Sequence, residues 1–269
     1  MKMMQLLTEI EKPCAFVPTM GALHAGHQSL ISQARELCDE VVVSVFVNPL
    51  QFEDKDDLAK YPRTPEKDAE LAAAAGATVL WTPSYEDIYP NQITKLSAGE
   101  LGKKFEGVHR SGHFDGVLTV VHRFFELVKP KYAIFGEKDF QQLFLITKMA
   151  AQLHPEIEII AAPTVREPSG LAMSSRNVRL DKDARITADL ISKVLRTAAE
   201  SDSVELARKQ LGELAGNPDF QLDYAEIIDE TNFELASDET HRARAIVAGW
   251  INGVRLIDNM AMKSALVRA

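Results

Sequence analysis

Apolar residues fall along this chain in two alternating rhythms. Cys14-Ala15-Phe16-Val17 is a short continuous run that stops at Pro18. Gly21 and Gly26 follow, and then Leu30, Ile31, Ala34, Leu37 and Cys38 recur at the spacing of one helix face. Next comes Val41-Val42-Val43-Ser44-Val45-Phe46-Val47, a β-branched run too continuous for a sheet with one wet face, so it suits a parallel strand buried on both sides. The opening is a βαβ unit.

The alternation continues with an Ala-rich helix from Pro65 to Ala75, a strand at Thr78 to Trp81, a helix near Val117 to Val128 and a strand at Tyr132 to Phe135. Asp139 to Leu153 again has helical spacing, and Ile157 to Ala161 again reads as a strand. Alternating units of this kind predict a parallel sheet covered by helices, with ligands at the carboxyl ends of its strands. After Pro163 the texture changes to a polar loop, a helix from Asp181 with a stripe of Ile186, Leu190, Ile191, Val194 and Leu195, and a second helix near Val204 to Leu214. Two apolar runs then flank Asn252-Gly253, a strong hairpin signal. The pattern divides the chain near Pro163.

Composition narrows the function classes. At 269 residues, 46% hydrophobic and 26% charged, the chain can bury a core without disulfides or structural metals. Thirty Lys plus Arg against 39 Asp plus Glu gives a net charge of −9, the wrong sign for holding nucleic acid by counterion release. A single pocket can still gather cations for phosphate. Cys14 and Cys38 have no CxxC spacing and read as buried thiols of a reducing compartment. The amino terminus, Met1 to Gln5 leading to Glu9, lacks an export signal, and no apolar stretch reaches the roughly 20 residues of a membrane helix. The expected location is the cytoplasm, with no membrane partner.

The first strand-to-helix turn reads Pro18-Thr19-Met20-Gly21-Ala22-Leu23-His24-Ala25-Gly26-His27. Its glycines are spaced as in a Walker A loop, but His27 and Gln28 stand where that loop needs Lys and Ser or Thr. GxGxxG is absent as well. Two imidazoles three residues apart at a helix start can serve as cap and surface residues, as half a zinc site, or as joint donors to one phosphate. Neither cysteine offers zinc spacing, and the preceding strand favours phosphate.

In its fuller form this segment resembles the pantothenate synthetase (pantoate–β-alanine ligase) family, within the nucleotidyltransferases that carry a HIGH-type signature. Four further blocks carry the resemblance in family order. They are Asn48-Pro49-Leu50-Gln51-Phe52 with Tyr61-Pro62-Arg63-Thr64, His113-Phe114-Asp115-Gly116-Val117, Gly136-Glu137-Lys138-Asp139 with Gln142, and Thr164-Val165-Arg166-Glu167 with Met173-Ser174-Ser175-Arg176-Asn177. The resemblance implies an α/β fold, with a Rossmann-like parallel-sheet domain for ATP and pantoate over residues 1–163 and a smaller α+β lid domain over 164–269. It also implies a homodimer and an AMP-forming ligase that joins pantoate to β-alanine through a pantoyl adenylate.

By that resemblance ATP is contacted by Met20, Gly21, Ala22, Leu23, His24, Ala25, Gly26 and His27, by Gly136, Glu137, Lys138 and Asp139, and by Val165, Met173, Ser174, Ser175 and Arg176. Pantoate and β-alanine are contacted by Gln51, Gln142 and Asn48, whose amides can bond hydroxyl and carboxylate without adding charge. His27, with His24, is assigned to the charge that develops on the α-phosphate and His27 to proton donation, while Lys138 and Arg176 are assigned to neutralising the phosphates. Mg²⁺ is expected to bridge phosphate oxygens, with Asp68 as its protein partner. Asp139, taken alone, also suits a plain helix cap. The glycine-rich basic stretch from Gly102 to His113 reads as a solvated loop or a phosphate contact. Ser111 stands where many relatives have Pro, which leaves Arg110 open. A cofactor adenylyltransferase of the same superfamily would keep the histidines and the lid, and a nucleotide-binding regulator would bind ATP without turnover, whereas the amides at Asn48, Gln51 and Gln142 favour pantoate.

Overall fold

The computed structural model describes residues 1–4, 10–53, 58–59, 61–91 and 93–263, so Gln5 and Glu9 of the amino-terminal segment lie outside the described residues. The chain divides into two compact units, Met1–Thr164 and Val165–Ala269.

In the first unit the strands are β1 (Lys2–Met4), β2 (Cys14–Thr19), β3 (Glu40–Val45), β4 (Val79–Trp81), β5 (Tyr132–Gly136) and β6 (Glu158–Ala162). The longer helices are α1 (Ala25–Leu37), α2 (Pro65–Ala74), α3 (His113–Val128) and α4 (Phe140–Leu153). The sheet order is β1-β4-β3-β2-β5-β6, and every pairing is parallel. From β2 the chain winds outward to β3 and β4, then crosses to the other side of β2 to build β5 and β6. The order therefore reverses between β2 and β5, and in such sheets the crevice beyond that reversal is where ligands bind.

Successive strand residues point to opposite faces, so the central strands feed two cores. Phe16 joins Trp81, Phe124 and Phe125 on one side, whereas Ala15 and Val17 join Ile31, Ala34, Val43 and Ile134 on the other. Phe124 stands edge-on to Phe16 at 5.7 Å, Trp81 at 5.5 Å and Phe46 at 6.1 Å. Cys14 and Cys38 are buried free thiols.

Two segments differ from the sequence expectation. The stretch beginning at Gly102 is not an open loop, because it holds a 3-10 turn at Glu100–Lys103 and a helical turn at Glu106–His109. Gln141 organises it: its amide donates to the carbonyls of Leu101 and Lys104, and its oxygen accepts from the Glu106 N–H. The helix expected near Val117 starts earlier, at His113, directly after Gly112 in a left-handed conformation.

In the second unit α5 (Lys182–Ala199) and α6 (Val204–Gly212) accompany an antiparallel sheet of β7 (Gln221–Asp229), β8 (Ala243–Ile251) and β9 (Val254–Ala261), in that order. Ala188, Ile191, Leu195 and Ala198 of α5 share a core with Ala245, Val247 and Leu256. Asn252 and Gly253 both have positive φ, 47° and 72°, the backbone of a type I′ hairpin turn.

Candidate active site

The turn from β2 into α1 is built on two consecutive left-handed residues, Gly21 at φ 83° and Ala22 at φ 51°. Glycine adopts this conformation without penalty, but alanine does so only when the surroundings impose it. Asp68, in the first turn of α2 and 1% exposed, supplies the imposition. One carboxylate oxygen accepts the Ala22 N–H at 3.1 Å and the other accepts the Leu23 N–H at 2.8 Å and the Thr64 hydroxyl at 3.0 Å. A side chain at Gly21 would meet the Asp68 carboxylate at 2.9 Å, so the position has no room for one.

The turn delivers His24 to the N-cap of α1 and His27 to its third position. His24 Nδ1 accepts the Gly26 N–H at 3.1 Å, and His27 Nδ1 accepts the His24 N–H at 3.3 Å. This is a capping box made by two imidazoles whose ring centroids lie 4.1 Å apart. The geometry fixes the tautomers. With both Nδ1 atoms acting as acceptors, each neutral ring carries its proton on Nε2 and keeps an N–H donor directed away from the cap. Burial pushes the His27 pKa down to about 3, with proximity of His24 adding to the effect. His24 is lowered too, by burial first and then by the charge of Lys138. Both rings are therefore neutral at pH 7.

That influence of Lys138 on His24 marks a junction, since Lys138 follows β5 and His24 follows β2, the two strands at the reversal point. Gly136 ends β5, and Glu137, Lys138 and Asp139 form a 3-10 turn leading into α4. Asp139 occupies the N-cap position of α4 without a side-chain capping bond, so the plain cap expected of it is not what it makes, and it lies 3.9 Å from the Lys138 ammonium. Its charge opposes the depression of both histidine pKa values. The structure thus brings His24, His27, Lys138 and Asp139 into one electrostatic neighbourhood.

The amide pair sits past β3. Asn48 caps a 3-10 turn at Pro49–Gln51, with its oxygen accepting the Leu50 N–H. The same oxygen accepts the Tyr89 hydroxyl at 2.9 Å, while its nitrogen donates to the Gln51 side-chain oxygen at 3.2 Å and to the Gly116 carbonyl at 3.1 Å. Gln51 also donates to the Met20 sulfur at 2.9 Å, which ties the amide turn to the β2–α1 turn. His113, with burial lowering its pKa to about 3, bonds the Gln51 carbonyl through Nδ1 at 2.9 Å, so it supports Gln51 from behind. Gln142 is half-buried one position beyond the fully engaged Gln141. Sequence reasoning missed Tyr89 and the close approach at Gly116. The phenol carries no local motif, and the glycine signals itself only through the backbone it lets near.

In the second unit, an isolated antiparallel bridge joins Arg166 to Ala172, and the Met173 N–H bonds the Val165 carbonyl. Ser174 caps a 3-10 turn, Ser175–Arg179, by accepting the Arg176 N–H. Met173, Ser174, Ser175 and Arg176 are all half-buried, and Asn177 behind them is 3% exposed.

Asp68, the expected Mg²⁺ partner, is engaged by the turn, because both of its oxygens hold backbone N–H groups. Among the described residues no group of three or more His, Cys, Asp or Glu is arranged to hold a metal. Among the same residues no helix is long and apolar enough to cross a membrane.

Comparison with known proteins agrees across sequence and structure. A sequence model of the family described as Pantoate-beta-alanine ligase matches residues 1–261. A pantothenate synthetase from Acidothermus cellulolyticus is 47% identical over 266 residues, covering 94% of this chain and 86% of its own. The crystal structure of the pantothenate synthetase from Thermus thermophilus superposes with a TM-score of 0.91 at 40% identity, covering 97% of this chain and 99% of that one. A pantoate–β-alanine ligase from Francisella tularensis, complexed with beta-gamma ATP and β-alanine, gives a TM-score of 0.80 at 35% identity over 97% of this chain and 94% of its own.

Proposed function

This chain belongs to the pantoate–β-alanine ligase family, and from that premise we propose how its residues carry out the ATP-dependent joining of pantoate to β-alanine. The pantoate carboxylate attacks the α-phosphorus of ATP and the bond to pyrophosphate breaks, leaving pantoyl adenylate. The β-alanine amine then attacks the activated carbonyl, the bond to AMP breaks, and the amine loses a proton as pantothenate forms. No protein nucleophile is required, so the side chains position reactants and offset charge.

The observation that carries this reading is the imidazole capping box beside Lys138 at the strand-order reversal. His27 and His24 direct Nε2–H donors at α-phosphate oxygens, at the positive end of the α1 dipole. His27 donates to the oxygen on which charge accumulates as pyrophosphate departs. Lys138 meets the triphosphate as a point charge, within the Gly136 to Asp139 segment that contacts ATP. Ser174, Ser175 and Arg176 supply further phosphate donors, Arg176 as a planar fork, and Val165 and Met173 contact the adenosine. Gln51, with Asn48 and Gln142, takes the pantoate hydroxyls and carboxylate and borders β-alanine. Mg²⁺ enters as MgATP, its ligands drawn from phosphate and water. We assign the enzyme to the cytoplasm as a homodimer, and light scattering after size exclusion tests the dimer.

The assay for the reading combines protein, MgATP, pantoate and β-alanine and follows AMP, pyrophosphate and pantothenate. Equal accumulation of the three is expected; ADP in place of AMP, or a product that retains the nucleotide, contradicts it. His27→Ala is expected to abolish pyrophosphate release from ATP and pantoate while preserving the circular dichroism spectrum.

A further inference from the structure

The segment that carries Ser174, Ser175 and Arg176 is flanked by two adjacent residues of opposite charge, Arg166 and Glu167. The two side chains reach different partners. Arg166 reaches β9, where it forms a two-pronged pair with Asp258 at 2.7 and 3.0 Å and also bonds the carbonyls of Gly170 and Asn259. Glu167 reaches α5. One of its oxygens accepts the Asn177 amide at 2.8 Å and the other accepts the Arg185 guanidinium at 2.9 Å.

The second grip closes on itself. Arg185 also donates to the Asn177 carbonyl at 3.0 Å, and the Asn177 amide donates to the Ala172 carbonyl at 3.0 Å. Glu167, Asn177 and Arg185 form a ring of three mutual bonds across both ends of the segment. Asn177 directly follows Arg176, and Ala172 lies just before Met173, so the clasp fixes the chain on each side of the proposed phosphate donors.

We infer that Glu167, Asn177 and Arg185 are positioning residues for ATP, a clasp that holds Ser174–Arg176 in the conformation that meets the phosphates. The inference rests on the reading of that segment as ATP-binding. Neither Glu167 nor Arg185 is assigned to touch substrate; they act through the backbone between them. The Arg166–Asp258 pair is the fixed base against which the clasp works, and Asp258 is buried, so breaking that pair risks the fold. Arg185 is 41% exposed and is the safer place to open the device.

The test compares Arg185→Gln, Glu167→Gln, Arg185→Lys and Arg176→Ala in the full-length enzyme, measuring pyrophosphate release against MgATP concentration, KM for β-alanine and the melting temperature. Opening the clasp is expected to raise KM for ATP or lower kcat of the first half-reaction by about tenfold. KM for β-alanine and the melting temperature should stay close to the unaltered enzyme, and Arg185→Lys, which keeps the pairing with Glu167, should recover part of the loss. Normal ATP kinetics in Arg185→Gln and Glu167→Gln beside an impaired Arg176→Ala overturn the clasp. A loss that tracks the melting temperature alone overturns it too, because that is the mark of a scaffold role. Normal ATP kinetics in Arg176→Ala remove the reading beneath it, and the inference with it.

Discussion

Asp68 accepts the Leu23 N–H at 2.8 Å across 45 residues of sequence, and this bond explains how a non-glycine residue, Ala22, keeps a left-handed backbone one step from the histidine cap. Replacing Asp68 by Asn leaves one acceptor oxygen where three donors converge. The expected result is at least a tenfold loss in pyrophosphate release and a stability loss of about 1.5–3 kcal/mol by urea titration. The dependence on Mg²⁺ concentration should be unchanged; a raised Mg²⁺ requirement would mark Asp68 as a metal partner.

Proton uptake should accompany ATP binding. His24 and His27 are neutral in the free enzyme, and an arriving triphosphate favours their charged forms. Calorimetric titration with ATP at pH 6 in two buffers of different ionisation enthalpy is expected to show net protonation, and His27→Gln should lower it. Identical heats in the two buffers would refute the linkage.

Acid should weaken the fold through the same physics. The His27 and His113 pKa values are held to about 3 in the folded chain, well below the roughly 6.5 of an unfolded histidine. Between those limits the unfolded chain binds protons that the folded chain refuses, so stability rises with pH. The histidine contribution is present above pH 6.5 and is lost progressively as pH falls toward 3. Urea midpoints at pH 7.5 and pH 5 are expected to differ, and His113→Gln should flatten the difference.

Gly116→Ala should displace the amide turn. A Cβ there would sit 2.2 Å from the Leu50 carbonyl oxygen and 2.7 Å from the Gln51 nitrogen, both backbone atoms that cannot swing aside. Steady-state kinetics should show a raised KM for pantoate with KM for ATP little changed. An unaltered pantoate KM would separate Gln51 from pantoate recognition.

Tyr89→Phe is the gentler probe of the same turn. It removes the hydroxyl that bonds Asn48 at 2.9 Å and leaves the ring in place, so a stability cost of about 1 kcal/mol is expected. A modest rise in pantoate KM should accompany it, and a variant with normal stability and kinetics would show that Asn48 holds its position unaided.

Much of the sheet could be read from the chain because its signals are local. The continuous valines of β3, the glycine turn after β2 and the Asn252-Gly253 hairpin each declare themselves within a few residues. What escaped reading depends on partners far apart in sequence. Asp68 resembles an ordinary acidic residue in a helix's first turn, and only the folded chain shows its oxygens filled by Ala22 and Leu23. Gln141 turns a stretch that looked like open loop into short helical turns through bonds reaching back 35 to 40 residues. The histidine pair was legible as residue types, but the Nδ1 acceptors that fix its tautomers were not, since HxxH spacing alone leaves both ring nitrogens uncommitted.

The hairpin between β8 and β9 also sets how the protein ages. Asn252 precedes glycine, the setting in which an asparagine side chain most readily loses ammonia, and asparagine is among the thermolabile residues. Its amide donates at 2.7 Å to Asp181, whose other oxygen caps the first turn of α5. Loss of the amide nitrogen would leave two carboxylates facing each other where a donor met an acceptor, pulling Asp181 off its cap. Old preparations of the enzyme should therefore become more acidic and begin to fray at the start of α5.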